Sequence, residues 1–385
     1  MKKWSVGLLA AAALFTSACG AQGAQKEEGD TVVIGSLFEL TGGVSAYGTA
    51  ESEAVKMAVD EINEQGGVKG KQLRIKEYDI KSDEQEAASA ATKLATQDKA
   101  SVIVGPATSG LTKAAAPGVT RGEVPLVSPS ATDDSVTVDD KGNVQKYVFR
   151  VAFQDSFQGV SLAQFAQKEL GAKKAVILGD NSSDYGVGLS KSFKETFDGE
   201  IVSEVNFTDA DSDFSAVLTK IKSQDFDVLF VPGYYEQGGQ IIKQAREMGI
   251  TQPILGPDGF GNQTLIDLAG KDNVSDVYYT AHFTNQSDKE NVKEFLKNYE
   301  EAKGSQPDMF AALAYDTVYV VKQALETADD FSAASITKAL ENLTDFEGVT
   351  GTFSFDEHHN PVKSAIIVEL QKGEEAGTTE VSPEN

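Results

Sequence analysis

From Thr31 onward, short runs rich in Val, Ile and Leu alternate with longer stretches in which apolar residues recur every three or four positions. That alternation predicts parallel sheets with helical crossovers. Candidate strands cover residues 32–37, 73–78, 102–104, 125–127 and 147–151, and the scheme repeats at 175–178, 201–205, 228–231, 253–255 and 277–280. Their apolar runs are continuous rather than alternating, which suits strands covered on both faces. Between them, Ala54, Val55, Ala58, Val59 and Ile62 share one helical face that ends at Gly66-Gly67. Val217, Leu218 and Ile221 form a similar face after Asp213, a candidate helix cap. Three late helical stretches, near 291–302, 308–327 and 332–343, and two strand-like runs, 351–355 and 365–370, complete the pattern. The expected fold class is α/β, two doubly wound (Rossmann-like) units, with the late helices returning to the first. In such sheets ligands bind beyond the carboxyl ends of the strands, so two facing units predict a site in the cleft between them.

The amino-terminal stretch reads differently. Met1, Lys2 and Lys3 precede an apolar run from Trp4 to Phe15 and the small residues up to Cys19. At about 1.5 Å per residue, about 12 apolar residues cover about 18 Å, short of the roughly 30 Å hydrocarbon core a spanning helix must cross. The stretch is expected to be an export signal. Cys19 is the single cysteine, so no disulfide is expected and stability must come from core burial. The length beyond the signal exceeds the size at which one core stops growing, which again predicts two domains. A formal net charge of −25 argues against a nucleic-acid partner, because a phosphate backbone seeks a basic groove.

Two loops at strand ends combine hydroxyls with backbone N–H groups just before helical stretches: Gly105-Pro106-Ala107-Thr108-Ser109-Gly110 and Ser128-Pro129-Ser130-Ala131-Thr132-Asp133. A helix start offers unsatisfied N–H donors and partial positive charge, enough to hold a carboxylate without arginine or lysine. Ser109 and Thr132 are therefore either carboxylate contacts or simple helix caps. In the second unit the equivalent strand ends carry Asp184-Tyr185-Gly186, Gly233-Tyr234-Tyr235 and Gly256-Pro257-Asp258-Gly259. Asp258 is either an ammonium partner or a turn aspartate bonding its own backbone. Tyr47, Tyr185, Tyr234 and Phe310 are candidate apolar walls.

Taken in order and spacing, the stretches IGSLFELTGGVSAYG, VIVGPATSGLTKAAAP, VPLVSPSATDD, ILGDNSSDYGVGL, VLFVPGYYEQGGQIIKQAREMG and ILGPDGF resemble the type I periplasmic binding proteins of the branched-chain amino acid class, the solute receptors of ABC importers. The resemblance spans about residues 31–373. It implies two lobes joined by hinge strands: residues 31–151 with 282–350, and residues 152–281 with 351–372. Residues 1–18 would be the signal peptide, 19–30 a lipidated tether and 373–385 a disordered acidic tail. LFTSACG resembles a bacterial lipobox, implying lipidation at Cys19 and an extracytoplasmic, membrane-anchored protein. Carried over by position, carboxylate contacts fall on Ser109 and Thr132, main-chain contacts on Ser130, the acidic partner of the ammonium on Asp258, and the pocket and rim on Tyr47, Tyr185, Tyr234 and Phe310. The acid is Asp258 where some relatives carry Glu. The cysteines that some relatives pair are absent, Ser82 and Thr108 standing near those positions.

The implied function is capture of leucine, isoleucine or valine by cleft closure and delivery to ABC importer permease subunits, by a monomer without cofactor or metal. Another small amino acid, an amide or an aromatic acid is the alternative ligand, and a sensory ectodomain the alternative role. An enzyme finds little support. His282, His358 and His359 lack metal-ligand spacing, and no serine sits in a G-x-S-x-G elbow.

Overall fold

A computed structural model describes residues 31–139 and 141–382. The expected signal peptide, Cys19 and the tether through residue 30 lie outside the described residues, as do residues 383–385. The first sheet contains β1 (Thr31–Phe38), β2 (Gln72–Asp79), β3 (Val102–Val104), β4 (Leu126–Ser128) and β5 (Val148–Arg150), parallel and in the order β2-β1-β3-β4-β5. Helices α1 (Ser45–Glu64), α2 (Glu84–Thr96) and α3 (Ser109–Gly122) make the crossovers. Ala54, Val55, Ala58, Val59 and Ile62 are buried, so the row read from sequence is the packed face of α1.

The second unit repeats this order as β7-β6-β8-β9-β10, again parallel. Its strands are β6 (Lys174–Asp180), β7 (Glu200–Phe207), β8 (Val228–Phe230), β9 (Ile254–Gly256) and β10 (Val277–Ala281). Its helices are α4 (Asp155–Lys168), α5 (Asp184–Thr196), α6 (Ser215–Lys222), α7 (Tyr235–Glu247) and α8 (Gln263–Ala269). The late helices are α9 (Glu290–Lys303), α10 (Met309–Thr327) and α11 (Ala333–Glu341), and α10 packs along α1 in the first unit. The strand order reverses between β1 and β3 and between β6 and β8, the switch points beside which such sheets bind ligands.

Two expectations at the carboxyl end need correction. Residues 351–372 were expected in the second lobe, but the crossing comes later. β11 (Phe346–Gly348) and β12 (Gly351–Phe353) form a hairpin whose turn N–H groups, from Val349 and Thr350, donate to Asp316 of α10 at 2.9 and 2.8 Å. Beyond it His359 stacks on Phe149 of β5 at 4.0 Å, and Arg150 Nε donates to Asn360 Oδ1 at 2.6 Å. Only β13 (Ala365–Gln371) joins the second sheet, antiparallel to β10. Residues 373–385 were expected to be a disordered tail, yet β14 (Glu374–Val381) pairs antiparallel with β13. Lys372 and Gly373 both have positive φ and make the two-residue turn that such a hairpin requires. The acidic side chains of β14 suit a sheet edge, where charge blocks further pairing.

Candidate functional site

The loops at the strand ends converge on one small cavity between the lobes. It is lined by Tyr47, Ser109, Ser130, Thr132 and Phe310 from the first lobe and by Tyr185, Tyr234 and Asp258 from the second, with Ala107, Thr108 and Gly259 beside them. All eight residues singled out from sequence are brought together. Gly105, at φ +96°, starts the first loop, and a Cβ there would lie 2.1 Å from the Leu37 carbonyl oxygen. Only glycine permits that close approach, which carries the chain from β3 across β1 to Ser109.

The first-lobe wall is not built from free loop N–H groups, as expected, because most of them are already taken. Those of Ala107 and Thr108 donate to the Glu39 carboxyl at 3.1 and 3.0 Å, and that of Ala131 donates to Ser128 Oγ at 3.1 Å. Those of Thr132 and Asp133 donate to Ser109 Oγ at 3.2 and 3.1 Å. Since the Ser109 oxygen accepts twice, its own proton is left for a further acceptor. Ser109 does not cap α3: the cap position belongs to Thr108, whose hydroxyl donates instead to Glu39 Oε1 at 2.9 Å. The first turn of α3 thus begins beside the cavity with no side-chain cap. Thr132 is not a cap either, Asp133 filling that position for the following 3₁₀ turn. The wall therefore presents hydroxyls and a helix start to the cavity, an arrangement suited to an anion.

The opposite wall carries the acid. Asp258, 2 % exposed, accepts the Tyr185 hydroxyl on Oδ1 at 2.5 Å. The Tyr185 oxygen in turn accepts the Gly259 N–H at 2.9 Å. Tyr185 and Tyr234 stack with ring centres 4.9 Å apart, while Tyr47 packs on Phe310 at 4.2 Å. Contacts across the cleft hold the lobes together. Tyr47 Oη donates to the Gly259 carbonyl at 2.6 Å and accepts the Tyr235 N–H at 3.1 Å, and Lys113 Nζ pairs with Asp184 at 2.6 Å. Hydroxyl donors on one side, a carboxylate on the other and aromatic faces between them can enclose a small zwitterion.

Comparison with known proteins agrees with this geometry. The family described as periplasmic binding protein matches residues 31–375. The chain belongs to that family. Among solved members, a periplasmic binding protein described as the branched-chain amino acid transporter substrate binding protein LivJ of Streptococcus pneumoniae, in complex with isoleucine, is 45% identical; the match covers 92% of this chain and 100% of that one, with a TM-score of 0.88. The leucine binding protein LivK of Thermotoga maritima is 33% identical over 91% of this chain and 99% of its own, with a TM-score of 0.85. The Leu/Ile/Val-binding protein BraC3 of Rhizobium johnstonii is 31% identical over 85% of this chain and 88% of its own. Membership of a solute-binding family also answers the enzyme alternative, since its members capture rather than transform. Among the described residues no helix is long and apolar enough to cross a membrane.

Several residues behind the site of this periplasmic binding protein escaped the sequence reading. Glu51 lies on the row Glu51, Val55, Ala58, Ile62, and its buried carboxyl hydrogen-bonds the Ser130 hydroxyl. An acid on an apolar helical row is the signal that could have found it. Burial pushes the carboxyls of Glu39 and Glu51 upward, Glu51 far above the usual range. His282, just past β10, stacks on Phe153 at 3.6 Å with Nε2 3.5 Å from Asp258 Oδ2. Burial lowers its pKa to about 4, so near neutral pH it carries no charge to compete for the acid. In the unfolded chain it takes a proton near 6.5, in the folded protein only near 4, so falling pH favours unfolding through that window. We expect stability to drop by about 3 kcal/mol from this group between pH 6.5 and 4. Urea unfolding at several pH values should show a shallower acid limb in His282→Phe, which keeps the stack.

Proposed function

We propose that the protein captures leucine, isoleucine or valine in the cleft and delivers it to an ABC importer from the outer face of the cell membrane, where lipid on Cys19 tethers it as a monomer. The carrying observation is that Ser109, Ser130 and Thr132 line one aromatic-walled cavity together with Asp258 from the other lobe. The ligand carboxylate accepts the Ser109 proton and lies at the start of α3, where the helix dipole favours negative charge. The ammonium meets Asp258. The aliphatic chain covers Tyr47, Phe310, Tyr185 and Tyr234, gaining about 25 cal/mol per Å² of apolar surface removed from water. Closure through the Tyr47, Tyr235 and Lys113 contacts excludes water and so strengthens the charge pair.

Binding to the folded state alone stabilises by mass action, about 2.7 kcal/mol at a ligand concentration of 100 times Kd. Leucine, isoleucine and valine should therefore raise Tm progressively with the logarithm of concentration. Flat melting curves with all three would remove the specificity while leaving the family intact. Labelling with a radioactive fatty acid in the producing cell, lost in Cys19→Ala, tests the anchor.

A further inference from the structure

We propose that Gln158 is the positioning residue that fixes Asp258 as the single anionic partner of the ligand's ammonium, an inference that rests on the amino-acid reading above. Gln158 lies on α4, whose row Gln158, Leu162, Phe165 and Ala166 is buried. Its carboxamide is saturated. Nε2 donates to Asp155 Oδ1 at 2.7 Å and to Asp258 Oδ1 at 3.2 Å. Oε1 accepts the Asp258 N–H at 3.1 Å and the Thr280 hydroxyl at 2.7 Å. These groups are all buried, and a carboxamide has two N–H donors and one acceptor oxygen to give.

Two consequences follow for the acid. With Tyr185 also on Oδ1, that oxygen is committed to the protein and the rotamer of Asp258 is locked. Only Oδ2 remains for the ligand, and His282 Nε2, 3.5 Å from it, is held neutral by burial. Locking a binding group through its surroundings keeps it in productive geometry before the ligand arrives.

The second consequence concerns charge. One amide joins two buried carboxyls, and like charges brought so close do not both ionise. Asp155 Oδ2 meets no partner, and burial together with the Asp258 charge raises the Asp155 carboxyl well above its ordinary range. Asp133 adds a further repulsive charge. Burial and the neighbouring Asp258 charge both favour the neutral form of Asp155, so this wall offers one negative charge for one ammonium. The ligand class is a zwitterion whose only cation is its α-ammonium, and a second amino group at this wall would find no counter-charge.

The test is calorimetric titration of leucine into the full chain, wild type beside Gln158→Leu and Gln158→Glu, at about pH 6 and about pH 8. Gln158→Leu should weaken binding about ten- to hundredfold at both, the expected effect of losing a hydrogen bond to a charged group. Gln158→Glu keeps the acceptor for the Asp258 N–H and Thr280 but sets a carboxyl against two acids. It should bind weakly at the higher pH and recover about tenfold at the lower, where protonation restores a donor. A merely structural defect would not recover with protons, and melting curves of the empty variants report folding separately. Equal affinity in all three proteins, or a Gln158→Glu loss independent of pH, overturns the proposal. Absence of leucine binding by the wild type overturns the amino-acid reading beneath it.

Discussion

Replacing Asp258 by alanine is expected to weaken leucine binding by about 2 to 5 kcal/mol, the usual effect of stranding a buried charged partner. The size follows from where the acid sits. Asp258 is buried, and its carboxylate is held by Tyr185 and Gln158 rather than by solvent. A closed cleft offers the ammonium no water in exchange. Asp258→Asn keeps the shape and removes the charge, so it should lose nearly as much. Closure contacts such as Tyr47 to Gly259 do not use the carboxylate, but Asp258→Ala leaves the buried Tyr185 and Gln158 donors without their acceptor and should also lower stability, whereas Asp258→Asn keeps an acceptor oxygen and should unfold closer to wild type. Calorimetry showing unchanged affinity in both variants would remove Asp258 from the site.

Glu39→Ala is expected to act on the scaffold instead, costing about 2 to 5 kcal/mol of stability. Glu39 is fully buried just past β1 and accepts three donors, the N–H groups of Ala107 and Thr108 and the Thr108 hydroxyl. Alanine leaves these buried donors without an acceptor, at about 1–3 kcal/mol each where they cannot rearrange to water. The loop they belong to positions Ser109, so leucine affinity should fall as well. Glu39→Gln retains an acceptor oxygen of the same reach and should recover most of the loss. Urea denaturation checks this through the midpoint, with an unaltered slope marking a loss of stability rather than of compactness. A Glu39→Ala midpoint equal to wild type would mean the loop is held by other contacts.

The fold was legible because its strands are buried on both faces. Continuous apolar runs such as Val102 to Val104 and Val228 to Val231 leave little alternative to a covered parallel sheet, and the late helix at α10 announced itself by its long apolar face. The cavity lining was legible too, because in this topology chemistry collects at strand ends and the hydroxyl and acidic loops stood there in sequence. What could not be read is who satisfies whom. The loop N–H groups pair with Glu39 and Ser109, partners 68 and 23 residues away for Ala107 and Thr132. No local pattern encodes such pairs. Gln158 reaches Asp258 across 100 residues in the same way.

The tail misled for a related reason. Glu374 to Val381 is acidic and has little to bury, so composition argued for disorder. A preceding strand supplied the missing backbone partners, and the Lys372-Gly373 turn was the only local sign of it. The late position of the third crossing likewise depends on Arg150, which binds Asn360 and the Asp133 carbonyl and draws residues 359–360 onto the first lobe.

The most direct test sets leucine against two trimmed analogues in one calorimetric series: 4-methylpentanoate, which lacks the ammonium, and isoamylamine, which lacks the carboxylate. Recognition of both charged ends in one closed cavity requires saturable one-to-one binding of leucine and a loss of at least about 2 kcal/mol for either analogue, the lower range for an unpaired buried charge. If either analogue bound as tightly as leucine, one of the two walls would play no part in recognition, and capture of a zwitterion between the lobes would be wrong.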